Sequence, residues 1–148
     1  MNEKVDRKVA RGICFQTESV LLCKAKNKNN YFLIGGGLKQ FESATTALLR
    51  EIKEELNKEA TIKSFVGVVE NCWTTNEITI FETNFLFMID IPLEVYKPLK
   101  SAEENLSFEW IKLTEINSVN LQPVIMKQII LQSQNHSMFN GFWHTEFK

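Results

Sequence analysis

The sequence predicts one α/β domain of the α+β kind, in which strands lie before and after a single acidic helix. Three observations favour it. A glycine-rich turn at Gly35 to Gly37 ends an apolar run and leads into a helical pattern from Ser43 to Leu56. Alternating apolar segments typical of strands flank that helix. The chain has 148 residues and 44% hydrophobic composition, which suits one substantial core over residues 1–148.

The segment before the helix is predicted to consist of short strands and turns. Val9 to Gln16 and Val20 to Ala25 are strand candidates, joined by a turn at Thr17 to Ser19. The Lys-Asn run Lys26 to Asn30 is typical of a loop, and Tyr31 to Ile34 is a further strand candidate ending at the three glycines. Because glycine suits backbone with φ > 0 or close to a ligand, these glycines indicate a turn that fits a phosphate.

The helix from Ser43 to Leu56 has no Gly or Pro inside it, and Ser43 is a good N-cap. At about 100° per residue, three carboxylates share one face beside an apolar stripe. Like charges at this spacing repel, so the cluster calls for a cation. Mg²⁺ commonly binds through a few carboxylates, waters and substrate phosphates. The carboxylates belong to Glu51, Glu54 and Glu55, and Arg50 lies on the edge of their face.

After the helix, the pattern predicts further strands and a closing helix. In the longest strand candidate, one alternating face carries Phe81, Phe85 and Phe87 and is expected to be core. The other face carries Glu82 and Asn84, which we expect at the solvent more often than at a ligand. The predicted elements are strands over Thr61 to Val69, Glu77 to Ile91 and Leu106 to Leu113, a loop over Pro92 to Ser101, and a helix over Asn120 to Gln134. His136 to Lys148 receives no assignment.

Composition excludes several classes of protein. The formal net charge of -1 gives no general attraction to nucleic acid or to an anionic membrane. Three cysteines without C-x-x-C spacing argue against a disulfide framework and a zinc site. No segment has the length of a signal peptide or of a membrane span of about 20 apolar residues, so a cytoplasmic protein is expected.

The stretch from Gly36 to Glu55 resembles the Nudix hydrolase signature, G-x5-E-x7-R-E-U-x-E-E-x-G-U with U aliphatic. Asn57 and Lys58 depart from the pattern, which has glycine and an aliphatic residue there. Asparagine is the next-best residue for the left-handed position that ends a helix, so Asn57 keeps the geometry. A solvated amphipathic helix is the competing interpretation, and the matches in fixed register disfavour it. The matching residues are Gly36, Glu42, Arg50, Glu51, Ile52, Glu54 and Glu55.

The resemblance implies an α/β/α sandwich with a mixed central β-sheet, and hydrolysis of a nucleoside diphosphate linked to another group. Water would attack phosphorus with Mg²⁺ or Mn²⁺ bound. By resemblance Glu51, Glu54 and Glu55 hold the metal, while Glu54, Glu51 and Arg50 form the catalytic group. Backbone at Gly36 and Gly37 would approach metal or diphosphate, and Glu42 would support the site. A further carboxylate often helps in this family, and the candidates are Glu82, Glu103 and Glu104.

The expected substrate is a nucleoside di- or triphosphate or a small nucleotide derivative. Among the aromatic residues, Trp73 is the best candidate to stack on a nucleobase because polar residues surround it, although large aromatics are usually core. Two alternatives stay open. One is a non-catalytic Nudix-like module that binds a nucleotide or a protein, and the other is an RNA cap hydrolase, which needs a basic stripe. The oligomeric state is also open, with a homodimer as one option.

Overall fold

Residues 2–94, 97–134 and 141–148 are described by the computed structural model, and they divide between two β-sheets and the helices that cover them. The described residues contain two α-helices, α1 (Ala44–Leu56) and α2 (Ile125–Ser133), and a 3₁₀ helix over Leu113–Ser118 that precedes α2 in the chain. The strands are β1 (Glu3–Ile13), β2 (Phe15–Gln16), β3 (Ser19–Ala25), β4 (Tyr31–Phe32), β5 (Ile34–Gly37), β6 (Thr61–Thr75), β7 (Ile78–Asp90), β8 (Leu106–Lys112) and β9 (Phe142–Thr145).

The larger sheet is mixed, with strand order β5-β1-β7-β6-β9. Strand β1 runs parallel to β7 and antiparallel to β5, while β6 runs antiparallel to β7 and parallel to β9. The smaller sheet has the order β2-β3-β4, and β8 also pairs with β3. A mixed central sheet, as predicted, is therefore confirmed.

The larger sheet lies between two apolar cores, because successive residues of β7 point to opposite faces. Phe87 and Ile89 pack in one core with Leu48 and Ile52 of α1. Leu86 and Met88 pack in the other core, whose helical members are Met126, Ile129 and Ile130 of α2. The predicted arrangement of a sheet between helices is confirmed.

Several predicted boundaries were wrong, and long-range pairing explains each of them. Strand β1 starts six residues before Val9, because its polar half pairs with β7 from Glu3↔Ile78 onward. Strand β6 continues past Val69 to Thr75, where it forms a hairpin with β7. The turn residues Asn76 and Glu77 both have positive φ, at 47° and 65°, as a two-residue hairpin turn requires.

The C-terminal part also differs from the prediction. Helix α2 begins at Ile125 rather than Asn120, because the backbone of residues 120–122 is extended against Tyr31. Tyr31 N donates to Asn120 O at 2.7 Å, and Gln122 N donates to Tyr31 O at 2.9 Å. Part of the unassigned tail forms β9, while His136 lies outside the described residues.

The polar residues of β7 were expected at the solvent more often than at a ligand, and they are buried. Glu82 is 5% exposed and Asn84 is 1% exposed. Both sides of β7 are covered, so the face predicted to be mixed is as buried as the aromatic one. Within the described ranges, no helix is long and apolar enough to cross a membrane.

Candidate functional site

Helix α1 is capped at both ends by residues that the sequence predicts. Ser43 Oγ accepts from Thr46 N at 3.1 Å, which satisfies one of the free N–H groups of the first turn. Asn57 is left-handed at φ 53°, and its N–H donates to Lys53 O at 2.9 Å. Asparagine therefore ends the helix where the signature has glycine.

The glycines hold α1 and β5 close together. A Cβ on Gly36 would lie 2.5 Å from Cδ of Glu51, so a larger residue would displace that carboxylate. Gly35 has φ 137° and lies against the carbonyl of Ala10, where any side chain would clash. Because of these close approaches, the Glu51 carboxylate lies directly on the backbone of β5.

Arg50 connects the carboxylates of the loop and the helix. Its Nε and Nη2 donate to the two oxygens of Glu42, both at 2.8 Å, in a bidentate pair. Nη1 donates to Glu51 Oε1 at 2.8 Å and contacts both oxygens of Glu54 at 3.3 Å. Nη2 also donates to the carbonyl of Gly37 at 3.0 Å. One guanidinium thus fixes three glutamates and the end of β5, where the sequence predicted a glycine turn and the glycines instead pair with β1.

The charges of this network shift its pKa values. Hydrogen bonds from Arg50 lower the pKa of Glu42 to about 2, so Glu42 stays ionised well below neutral pH. The hydrogen bond that Arg50 donates to Glu42, followed by those to Glu51 and Glu54, raises the pKa of Arg50. The pair therefore remains charged across the physiological range.

Glu55 is the carboxylate that Arg50 does not neutralise. It is 5% exposed, and its Oε2 is buried without a hydrogen-bond partner among the described residues. Burial, together with the negative charges of Glu51, Glu103 and Glu54, raises the pKa of Glu55 to about 8, while Arg11 opposes the shift. A buried carboxylate in this state destabilises the fold unless a proton or a cation neutralises it.

A cleft of about 1180 Å³ lies between the larger sheet and α2. It is large enough for a nucleotide, since ligand pockets typically hold about 300–1,000 Å³. Two aromatic rings, Phe32 and Trp73, line it, and Trp73 is 37% exposed. Its charged lining consists of the cationic side chains of Arg7, Arg11, Lys28 and Lys127, and the carboxylates of Glu82 and Glu146.

Arg11 links the cleft to the acidic helix. Burial lowers the pKa of Arg11, and the charges of Glu82 and Glu55 counteract that effect, so both carboxylates are near enough to act on it. Its Nη1 donates to Leu33 O at 3.2 Å, and its guanidinium lies 5.4 Å from the centre of the Phe32 ring. Arg11, which is partly buried, therefore lines the cleft and also interacts electrostatically with Glu55 of α1.

A protein-family model described as the NUDIX domain matches residues 6–132. The chain belongs to the Nudix family. This confirms the resemblance drawn from the motif between Gly36 and Glu55, and the match extends far beyond it on both sides.

Solved structures with the same fold include several proteins of similar length. The MutT protein from Methanosarcina mazei Go1 has a TM-score of 0.66 at 17% identity, covering 93% of this chain and 100% of its own. An ADP-ribose pyrophosphatase from Streptococcus suis has a TM-score of 0.66 at 14% identity, with coverages of 95% and 98%. The E. coli ORF135 protein has a TM-score of 0.61 at 20% identity, with coverages of 90% and 95%.

One glutamate of the Nudix motif has the free carboxylate oxygen that a cation needs, but the motif glutamates are not arranged as a set of metal ligands. The orphaned, buried oxygen of Glu55 beside Glu51 fits a positive ion. Across the described ranges, no three His, Cys, Asp or Glu side chains are grouped so that they could hold a metal. Arg50 accounts for this, because it holds Glu51 and Glu54 on its own guanidinium. The Glu54 side chain is 46% exposed and has room to rotate.

The three candidates for an additional carboxylate lie in different places. Glu103 raises the pKa of Glu55, and the neighbouring Ala102 N donates to Glu55 O at 2.7 Å, so Glu103 lies beside the acidic face. Glu104 is exposed. Glu82 lines the cleft and forms an ion pair with Arg7 at 3.3 Å.

Sequence reasoning missed the polar lining of the cleft, namely Arg7, Arg11 and Asn71. Arg7 and Arg11 are four residues apart on β1, and in a strand this even spacing places both on one face. Arg7 is in register with Glu82, which is also in register with Asn71. The even spacing of the two arginines was visible in the sequence, but the partner strands were not.

Proposed function

We propose that this Nudix chain is a divalent-metal-dependent hydrolase that cleaves the diphosphate linkage of a nucleoside di- or triphosphate or a nucleotide derivative. The observation that carries the proposal is the buried carboxylate of Glu55 among the glutamates of α1, whose Oε2 has no hydrogen-bond partner among the described residues. A cleft lined by four cationic side chains supports it. Family membership supports the same reaction. The neighbour from Streptococcus suis, described as an ADP-ribose pyrophosphatase, is consistent with it.

In this proposal each residue of the motif has a separate task. Glu51, Glu54 and Glu55 hold Mg²⁺ or Mn²⁺, and Glu103 is the additional carboxylate because it lies beside Glu55. When bound, the cation neutralises charge on the nonbridging phosphate oxygens and makes a water nucleophilic. Arg50 would keep Glu51 oriented through its 2.8 Å contact, and its longer 3.3 Å contact would leave Glu54 available to hold the metal.

The remaining residues of the motif position that group. Glu42 uses both oxygens on Arg50, so its task is to fix the guanidinium rather than to contact the substrate. Gly36 allows Glu51 to lie on the backbone of β5, and the carbonyl of Gly37 holds Arg50. Binding and orientation, rather than covalent chemistry, are the main contributions that phosphoryl substitution requires from a protein.

The cleft is the proposed place for the nucleoside. Trp73 supplies a partly exposed ring for stacking, and Arg11 supplies a cation in the cleft for a phosphate.

Burial raises the pKa of Cys14 to about 11 and of Cys23 to about 12, so these thiols are unreactive. Unreactive free thiols are consistent with the cytoplasmic location expected from the sequence.

The decisive experiment is a substrate panel with Mg²⁺ or Mn²⁺, and with EDTA as the metal-free reference. The panel contains ribo- and deoxynucleoside triphosphates, ADP-ribose, dinucleoside polyphosphates, nucleotide sugars and capped RNA, with products identified by mass. We expect turnover of at least one nucleotide, with cleavage inside its phosphate chain and only with metal. Binding without turnover would favour the non-catalytic module, and cleavage of capped RNA alone would favour the cap hydrolase. Full activity in excess EDTA would refute the proposed requirement for a divalent metal.

A further inference from the structure

Two buried polar side chains of the cleft have hydrogen-bonding capacity that the described residues do not use. Glu82 is 5% exposed, and its one charged contact is the ion pair of Oε2 with Arg7 Nε at 3.3 Å. No hydrogen bond to its carboxylate comes from any described residue. Asn71 is 8% exposed and lines the same cleft. Because both residues line the cleft, a ligand bound there can use this remaining hydrogen-bonding capacity.

The orientation of the Asn71 amide is set by its neighbours. Asn84 Nδ2 donates to the carbonyl of Val69 at 3.2 Å and to Asn71 Oδ1 at 2.8 Å. Because a carbonyl can only accept, the Val69 contact fixes Asn84, and Asn84 in turn fixes Asn71 with its oxygen toward Asn84. The Nδ2 group of Asn71 is then turned away from that contact, with both of its N–H donors free of described partners.

Asn71 and Glu82 stand directly opposite each other on β6 and β7. Side chains at such positions lie on one face of the sheet, with Cβ atoms about 4.5–5.5 Å apart. The cleft therefore presents an N–H donor group next to a carboxylate that only accepts. A flat ligand edge fits this pair if it carries an acceptor followed by donors.

We propose that Asn71 and Glu82 recognise the base of the substrate and that this base is guanine, an inference that rests on the proposed function. The O6 of guanine accepts from Asn71, while its N1–H and 2-amino group donate to Glu82, giving three hydrogen bonds. Adenine and cytosine offer one acceptor and one amino donor, which give two. Uracil has a carbonyl on each side of its N–H, so one carbonyl would face the carboxylate. Sites built on buried hydrogen bonds reject bases that leave them unmade.

The surroundings of the pair suit a base and its phosphates. Trp73 lies two residues from Asn71 on the same strand, on the same face, and lines the cleft. Arg11 lines the same cleft, and the charges of Glu82 and Glu55 both act on it. In this assignment Glu82 binds the base, and Glu103 is left as the additional carboxylate for metal.

The test compares guanine with hypoxanthine, which lacks only the 2-amino group. We would measure kcat/KM for GTP, ITP and ATP with Mg²⁺, or for the same three bases in the phosphate form that the panel identifies. The wild-type protein should prefer GTP to ITP by about tenfold or more, since a hydrogen bond to a charged group is lost. In the Glu82→Gln variant this ratio should fall toward one, because the amide offers a single acceptor.

A second variant separates the two halves of the pair. Asn71→Asp places a carboxylate against O6, which guanine and hypoxanthine share, so it should lower kcat/KM for GTP and ITP alike and leave their ratio unchanged. Glu70→Gln is the matched control, because Glu70 neighbours Asn71 on the opposite face of β6 and should keep the wild-type ratio. Circular dichroism checks that each variant is folded.

The outcomes distinguish this inference from the proposed function. If the wild-type protein hydrolyses no nucleotide, the proposed function fails. If it hydrolyses nucleotides but uses GTP and ITP equally well, or if Glu82→Gln keeps the wild-type ratio, base recognition by Glu82 is wrong and the proposed function stands. Should Glu82→Gln fail to fold, Glu82→Asp replaces it, because aspartate keeps the charge beside Arg7. A wild-type preference for GTP over ITP that is absent, or that Glu82→Asp leaves unchanged, would then show that base recognition by Glu82 is wrong.

Discussion

Replacing Glu55 by glutamine should stabilise the metal-free protein, and the gain should grow with pH. The pKa of Glu55 is raised from 4.5 to about 8 in the folded state. Between these values the folded protein keeps a proton that the unfolded chain has released, so the free energy of unfolding falls as the pH rises. From pH 4.5 to pH 7.5 the free energy of unfolding falls by at most about 1.4 kcal/mol per pH unit, so the total loss over these three units is at most about 4 kcal/mol. Glutamine has nearly the same shape and no charge to bury.

The assay is urea unfolding in EDTA at pH 5, 6, 7 and 8. We expect Glu55→Gln to match the wild-type protein near pH 5 and to exceed it by about 2–4 kcal/mol at pH 8. Titration of groups that do not interact with Glu55 cancels in this difference. Mg²⁺ should stabilise the wild-type protein more than the variant, because the cation takes the place of the proton. Glu59→Gln is the control, since Glu59 is an exposed partner of Lys53. A difference that does not change with pH would refute the reasoning.

Three further variants test the acidic face and its loop. Glu54→Gln should lower turnover by roughly 10² or more at limiting Mg²⁺ because a ligand charge is lost, whereas Glu59→Gln should keep wild-type kinetics; equal rates would contradict the assignment. Gly36→Ala should weaken Mg²⁺ activation by about tenfold, since its Cβ would lie 2.5 Å from Cδ of Glu51, and a metal titration of activity checks this. Phe41→Gly should raise the free energy of unfolding by about 1 kcal/mol, because Phe41 has φ 63° and is 99% exposed; urea unfolding with no gain would show that the loop is not strained.

The local features of this protein could be predicted from its sequence, and the cleft could not. Helix α1, its caps at Ser43 and Asn57, and its carboxylates follow from spacing within about 15 residues. Arg50 was predicted on the edge of the acidic face, and in the structure it contacts three glutamates. These contacts are local, so helical periodicity is enough to place them.

The cleft depends on strand register, which local pattern does not determine. Asn71 and Arg7 come beside Glu82 through an antiparallel pair and a parallel pair. A shift of one residue in either pair would turn the side chains to the other face of the sheet. The same reason explains why β9, which lies parallel to β6, was not predicted.

Arg50 reconciles the two findings that bear most directly on the metal. A cluster of glutamates without a cation would repel itself, yet the described residues show no ready-made metal group. Arg50 contacts Glu42, Glu51 and Glu54, and so supplies a positive charge that the metal would otherwise provide. Of the four motif glutamates, Glu55 is the one that Arg50 does not contact, and its buried Oε2 has no hydrogen-bond partner among the described residues. A divalent cation is therefore needed most at Glu55, and Glu54, held by the longest of the three Arg50 contacts at 3.3 Å, is the carboxylate that Arg50 would release most readily to it.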